Sequence, residues 1–111
     1  MSTTDSGRKA ESRVADYLKK QEKWKILVQN WRNRWCEIDI IARDKNTIYF
    51  VEVKYRASSE WGDGFEAITK AKLARMARAA EAWVLINHWD GEYQLAAVHA
   101  TDSTIELICI D

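Results

Sequence analysis

At 111 residues, 47% of them apolar, the chain suits one compact domain that buries a core without help from a disulfide or a zinc staple. Its two cysteines, Cys36 and Cys109, have neither CxxC nor His-paired spacing, which argues against a zinc-binding module and for two reduced thiols. No stretch has the length of a membrane span, and "MSTTDSGRKAESR" lacks the apolar run of a signal peptide; the expected location is therefore the cytoplasm, with residues 1–6 as a flexible N-terminus. The 17 bases and 17 acids cancel, which argues against a uniformly basic nucleic-acid binder, but they are unevenly spread. Every Lys and Arg falls at or before Arg78, in company with only 11 acids, whereas residues 79–111 carry six acids and no Lys or Arg. Such asymmetry permits a basic face on a neutral molecule.

In chain order, Ala10, Val14, Ala15, Tyr17 and Leu18 recur at helical spacing after Ser6-Gly7 and predict a helix over about 7–22. "WKILVQNW" reads as a strand, and residues 36–43 and 47–55 as two more, joined by a polar "DKN" turn into an antiparallel hairpin. "ASSEWGDG" is a loop. From about Phe65 to Asn87 small and apolar residues recur every three or four positions, predicting a second helix; "EYQLAAVHA" and "TIELICI" close the chain as strands. The order α, three β, α, two β makes a layered α/β domain with no repeat or linker.

Into this apolar hairpin the chain sets Glu37-x-Asp39 and Glu52-x-Lys54. By the two-residue period of a strand, Ile48, Phe50, Glu52 and Lys54 share one face, Tyr49, Val51, Val53 and Tyr55 the other, and Glu37, Asp39 and Ile41 should likewise share a face. Asp39 meets Glu52 across the pair only if paired residue numbers sum to an odd value, which a two-residue turn at Asp44-Lys45 or at Lys45-Asn46 provides. The carboxylates would then lie about 5 to 8 Å apart. Half-buried, they would raise each other's pKa unless a cation intervened. Mg²⁺ or Mn²⁺ suits the pair, since Mg²⁺ takes oxygen ligands and needs only one or two protein carboxylates. Lys54, one period after Glu52, would orient water and stabilise charge on a phosphoryl group. Glu11 stands in the apolar stripe formed with Val14, Ala15 and Leu18, so its carboxylate points inward, toward a metal or an arginine partner.

"GRKAESRVADYLKK", "NWRNRWCEIDIIARD" and "TIYFVEVKYRASSEWGDGFEAITKAK" together resemble the YraN-like family of small bacterial proteins over residues 7–87. The resemblance implies a restriction-endonuclease-like core with Asp39, Glu52 and Lys54 at the PD-(D/E)xK positions and a metal at Asp39, Glu52 and Val53. It also implies Glu11 as the first-helix acid of junction-resolving nucleases. Cys36 replaces the family's usual glycine, and Trp35 beside it is bulky.

Plainer roles compete at each position. ExD and ExK on adjacent strands are most often cross-strand salt bridges, and Glu37 is expected to pair with Lys54 or Arg34. Arg32, Arg34, Lys70, Lys72, Arg75 and Arg78 read as solvated charges, with Arg56 and Lys72 retained as phosphate contacts. Most of the six tryptophans belong to the core, with Trp61 the candidate for base stacking. His88 and His99 read as structural or surface residues, and Cys36 as a packed side chain with no His to activate it. The expected activity is Mg²⁺- or Mn²⁺-dependent hydrolysis of DNA phosphodiesters, at branched or otherwise non-canonical structures by analogy with the family. The alternative is a non-catalytic nucleic-acid-binding or protein-scaffolding module of the same fold. Nothing in the chain reads bases, so shape or a partner protein would supply targeting, and a homodimer would double the contacts and present two cleavage sites.

Overall fold

A computed structural model describes residues 5–56 and 68–110, with side chains from residue 8 onward. The expected loop, Trp61 and Phe65 lie outside the described residues, as do residues 1–4 of the expected N-terminal tail; Asp5 and Ser6 are already helical. Helix α1 (Asp5–Lys20) leads into β1 (Lys25–Arg32), β2 (Glu37–Asp44) and β3 (Thr47–Tyr55); α2 (Lys70–Ile86) then precedes β4 (Glu92–Ala100) and β5 (Ile105–Ile110). The five strands form one mixed sheet in the order β1-β2-β3-β4-β5, antiparallel except where β4 runs parallel to β3 after the α2 crossover.

The two helices cover opposite faces, as strand alternation requires. Ala10, Val14, Ala15 and Leu18 of α1 bury themselves against Ile40, Ala42, Val51, Ala96 and Val98. Met76, Ala79, Ala80 and Trp83 of α2 cover Ile38, Ile41, Ile48 and Phe50 from the other side. The faces expected of β3 are observed: Ile48 and Phe50 lie in the α2 layer, and Tyr49, Val51, Val53 and Tyr55 in the α1 layer. Trp24 and Trp83 are core residues, and Trp24 stacks on Tyr49 with ring centroids 4.0 Å apart.

Helix α2 starts at Lys70, later than the expected Phe65. Thr69, extended at ψ 159°, accepts the Lys72 amide on its side chain and so fixes the first turn. The β2–β3 connection is the two-residue turn Lys45-Asn46, with Lys45 at φ 56°. Asn33 holds the β1–β2 turn by accepting the Trp35 and Cys36 amides on Oδ1 at 2.9 and 3.2 Å. At Gly91 a Cβ would come within 2.6 Å of the Asn46 side chain, so glycine lets β4 begin against the hairpin turn.

Candidate functional site

The hairpin register has the odd sum that brings Asp39 to the level of Glu52: Ile41 pairs with Phe50 and Ile40 with Val51. The β2–β3 ladder then stops. One step beyond it, Asp39 Oδ2 accepts the Val53 amide at 2.7 Å, so a side chain takes the place of a strand carbonyl and the strands fork. Strict alternation fails at the same point. Ile38 and Ile41, three residues apart, both enter the α2 layer while Ile40 enters the α1 layer. Across β1, Asn30 adopts φ 56° between the pairs Gln29–Ile40 and Trp31–Ile38, turning both strands together. The expectation that Glu37, Asp39 and Ile41 share a face is therefore corrected. Glu37 lines a groove beside α1, whereas Ile41 is buried beneath α2.

The fork lets carboxylates from both layers face one another. Asp39 is pushed up to about 7 from 3.8, first by burial and next by the Glu52 carboxylate; its hydrogen bond from Val53 opposes the rise, and Glu11 and Glu37 add to it. Glu11 is also raised, by burial foremost and then by Glu37 and Glu52, with Arg8 pulling the other way. Glu11 thus stands half-buried beside the other acids, as its place in the helix stripe required.

Glu52 is buried, and two ammonium groups hold it. Lys72 Nζ lies 3.6 Å from Oε1 and Lys54 Nζ 3.8 Å from Oε2. Lys72, expected to contact phosphate, therefore meets a carboxylate, and no sequence spacing announces this because α2 brings it from another layer. The expected partner of Glu37 is also corrected: Arg32, its cross-strand neighbour, reaches it at 3.3 Å, in place of Lys54 or Arg34. Arg56 follows β3 and donates its backbone amide to Ala100, placing it at the same end of the sheet. His99 is buried next to Lys54 across the β3–β4 pair, while His88 is exposed at φ 53°. The Cys36 thiol is raised mainly by burial and sits within the field of Lys72, Glu52, Arg75 and Asp39, packed and unactivated.

Sequence reading missed an open groove of about 650 Å³ lined by Arg8, Glu11, Ser12, Gln29, Arg32 and Glu37. The spacing of Arg8 one turn before Glu11 was the available signal. Among the described residues no three of His, Cys, Asp and Glu converge as ligands. What the fork offers a cation is two hard carboxylates, Asp39, which accepts the Val53 amide, and Glu52, which precedes Val53 in β3. A divalent ion that keeps most of its own water fits that donor set. Among the described residues no helix is long and apolar enough to cross a membrane.

The chain is 36% identical over 104 residues to a protein of Vibrio cholerae, an alignment covering 94% of this chain and 79% of the relative. It is 45% identical over 83 residues to a Chlorobium chlorochromatii protein, covering 75% and 64%, and 46% identical over 77 residues to one from an Arthrobacter species, covering 69% and 64%. All three are described as UPF0102 proteins, and the model of that family matches residues 10–110. The chain belongs to the uncharacterised protein family UPF0102, the family its YraN-like segments resemble.

Proposed function

We propose that the protein is a metal-dependent nuclease of restriction-endonuclease-like fold that hydrolyses phosphodiesters in DNA, at branched or other non-canonical structures. One observation carries the reading: where β2 leaves β3, Asp39 accepts the amide of Val53, the residue after Glu52, and Lys54 and Lys72 lie beside Glu52. Two carboxylates brought together under partial burial repel, and the Glu52 charge contributes to the rise of Asp39. Lys54 and Lys72 offset part of that repulsion at Glu52, and a divalent cation would relieve it at Asp39 as well.

Mg²⁺ or Mn²⁺ bound at Asp39, Glu52 and Val53 would supply Lewis-acid polarisation of a phosphoryl oxygen and a lower pKa for bound water. The remaining work falls to the chain. Asp39 keeps one oxygen on the Val53 amide and so holds the fork rigid. Lys54 orients the attacking water and steadies the charge that builds on the phosphoryl group. Glu11 serves as an accessory carboxylate at the groove. In the hydrolysis the water gives up a proton to solvent as its oxygen bonds to phosphorus, the bond to the leaving oxygen breaks, and that oxygen takes a proton from solvent or a lysine. Arg56 is the phosphate contact, joined by Lys72 once it leaves Glu52. A homodimer would present two such sites.

The test is calorimetric titration of Mn²⁺ into wild type, Asp39→Asn, Glu52→Gln and Lys54→Ala, followed by cleavage assays on branched, single-stranded and duplex DNA with and without EDTA. Metal binding lost in both carboxylate variants, with cleavage lost in all three, supports the nuclease. A second reading follows from the two lysines on Glu52: a self-neutralised cluster serving a non-catalytic module that binds nucleic acid or scaffolds a protein. DNA binding that persists in EDTA, weakens with salt and never leads to cleavage would favour it.

A further inference from the structure

Among the described residues two arginines lie over tryptophan rings, and the two pairs are built differently. Arg43 sits 4.8 Å from the centre of the Trp89 ring, at the end of the sheet opposite the fork. Both partners are tied down there. Arg43 Nε donates to the Lys45 carbonyl at 2.7 Å, Trp89 Nε1 donates to the Glu92 carbonyl at 2.9 Å, and the indole packs against the α2 core. The second pair is Arg34 and Trp35 in the β1–β2 turn, with the guanidinium 5.6 Å from the ring centre. Among the described residues neither this guanidinium nor the Trp35 indole N–H makes a hydrogen bond. The Trp35 ring also belongs to neither core, whereas Trp24, Trp31, Trp83 and Trp89 each pack into or against one.

The turn that carries this loose pair is itself well fastened. Asn33 accepts the Trp35 and Cys36 amides on its side chain and donates its own amide to the Cys36 carbonyl at 3.1 Å. It also stands at the fork, because Cys36, next after Trp35, lies in the field of Lys72, Glu52, Arg75 and Asp39. Trp35 is half-buried and Arg34 exposed, so a flat ring is held at a fixed place with a movable cation over it. Such a cation keeps water from the indole in the free protein and can be exchanged for another flat group.

We infer that Trp35 is a stacking platform for an unpaired base of single-stranded or branched DNA, and that Arg34 moves from the ring to a phosphate of the same strand when the base arrives. This rests on the proposed nucleic-acid site at the fork and gives that site a reason to prefer unpaired strands. A base within a duplex has both faces covered by its neighbours, whereas an unpaired base has a π-face to offer. Stacking of a base on an aromatic ring is stronger than one exposed cation–π contact, so the exchange is favourable. The backbone of a duplex could use the cations at the fork; an unpaired strand uses the indole as well.

Fluorescence anisotropy of the full chain in EDTA, where no metal-dependent cleavage intervenes, tests this with three labelled probes: a short thymidine strand, a strand of as many abasic units, and a duplex of equal length. Wild type should bind the thymidine strand about tenfold more tightly than the abasic strand, the scale of one stacked base, since the two carry the same phosphates. Trp35→Ala should lose that preference with its affinity for the abasic strand and the duplex unchanged, and Trp35→Phe should keep most of it. Because the ring belongs to neither core, both variants should keep the wild-type urea midpoint. Arg34→Ala should lower the salt dependence on the thymidine strand by about one phosphate contact. Equal binding of the thymidine and abasic strands by wild type, or a preference that survives in Trp35→Ala, would overturn the inference and leave the nuclease reading to the metal and cleavage assays. A preference lost in Trp35→Ala, in a protein that never cleaves DNA when Mn²⁺ is added, would uphold the stacking platform and sink the nuclease. No affinity for any of the three probes would overturn the platform outright.

Discussion

Within β3, residues 48–51 and residues 52–55 follow the same two-residue alternation, yet the first four hold a dry core and the last four hold charge. Ile48, Phe50 and Val51 are at most 1% exposed, whereas the Lys54 side chain is 42% exposed and Glu52, buried, is gripped by two ammonium groups. The two halves differ in the neighbouring strand. β2 pairs regularly with the first half, then leaves the second, where the Asp39 side chain takes the Val53 amide. A sheet that stays closed can seal apolar groups; a sheet that forks leaves backbone and carboxylates able to meet water, cations and phosphate. Changes in the two halves should therefore fail in different ways.

The largest contrast is between Glu52→Gln and Phe50→Ala. If Glu52 belongs to a hydrolytic site, its amide should cost about 10³-fold or more in cleavage rate, with unchanged circular dichroism and little change in urea midpoint. Phe50 is fully buried and packs edge-to-face on Trp83 and Tyr93. Its truncation should cost about 3–5 kcal/mol of stability. A Glu52→Gln protein that unfolds as readily as Phe50→Ala would make the charged half structural after all.

Asp39→Asn sharpens the comparison through pH. The folded carboxyl titrates near 7 and the unfolded one near 3.8. Because the folded value is the higher, the stability this group supplies is complete below the unfolded value and is lost as pH rises through 7. Asn cannot ionise and still accepts the Val53 amide. In EDTA, urea titrations should show wild type and Asp39→Asn nearly equal at pH 4, with the variant more stable by on the order of 2–4 kcal/mol at pH 8. Adding Mn²⁺ at pH 8 should narrow that gap by stabilising wild type alone. A gap independent of pH would remove the buried charge as its cause.

The same contrast explains what was legible in the sequence. Alternation fixed the faces of β3, and the parity of the turn brought Asp39 level with Glu52, because both depend on local geometry. The face of Glu37 departs from alternation because Asn30, at φ 56° between the pairs Gln29–Ile40 and Trp31–Ile38, turns the backbone there, which an alternation rule assumes away. The start of α2 was placed early since small apolar residues continue upstream of the cap at Thr69. Lys72 was legible as a basic residue, but its contact with Glu52 spans the β3–α2 connection and depends on how the helix is laid over the sheet.

Lys72 supplies the smallest and most discriminating effect. Its ammonium lies 3.6 Å from the Glu52 carboxylate, where it competes with any divalent ion for that oxygen. Lys72→Met keeps the length of the side chain and removes the competitor, so Mn²⁺ should bind about three- to tenfold more tightly in calorimetry, the scale of one partly exposed ion pair. The same variant should hold DNA more weakly, with the salt dependence reduced by about one phosphate contact, because the displaced ammonium is then missing from the phosphate. Lys72→Arg, which keeps the charge, should behave as wild type in both measurements. Tighter metal with weaker DNA would make Lys72 a cation that changes partners, holding Glu52 before the metal arrives and the phosphate afterwards. Weaker metal would mean that Lys72 positions Glu52, and the fork would then be a fixed cluster.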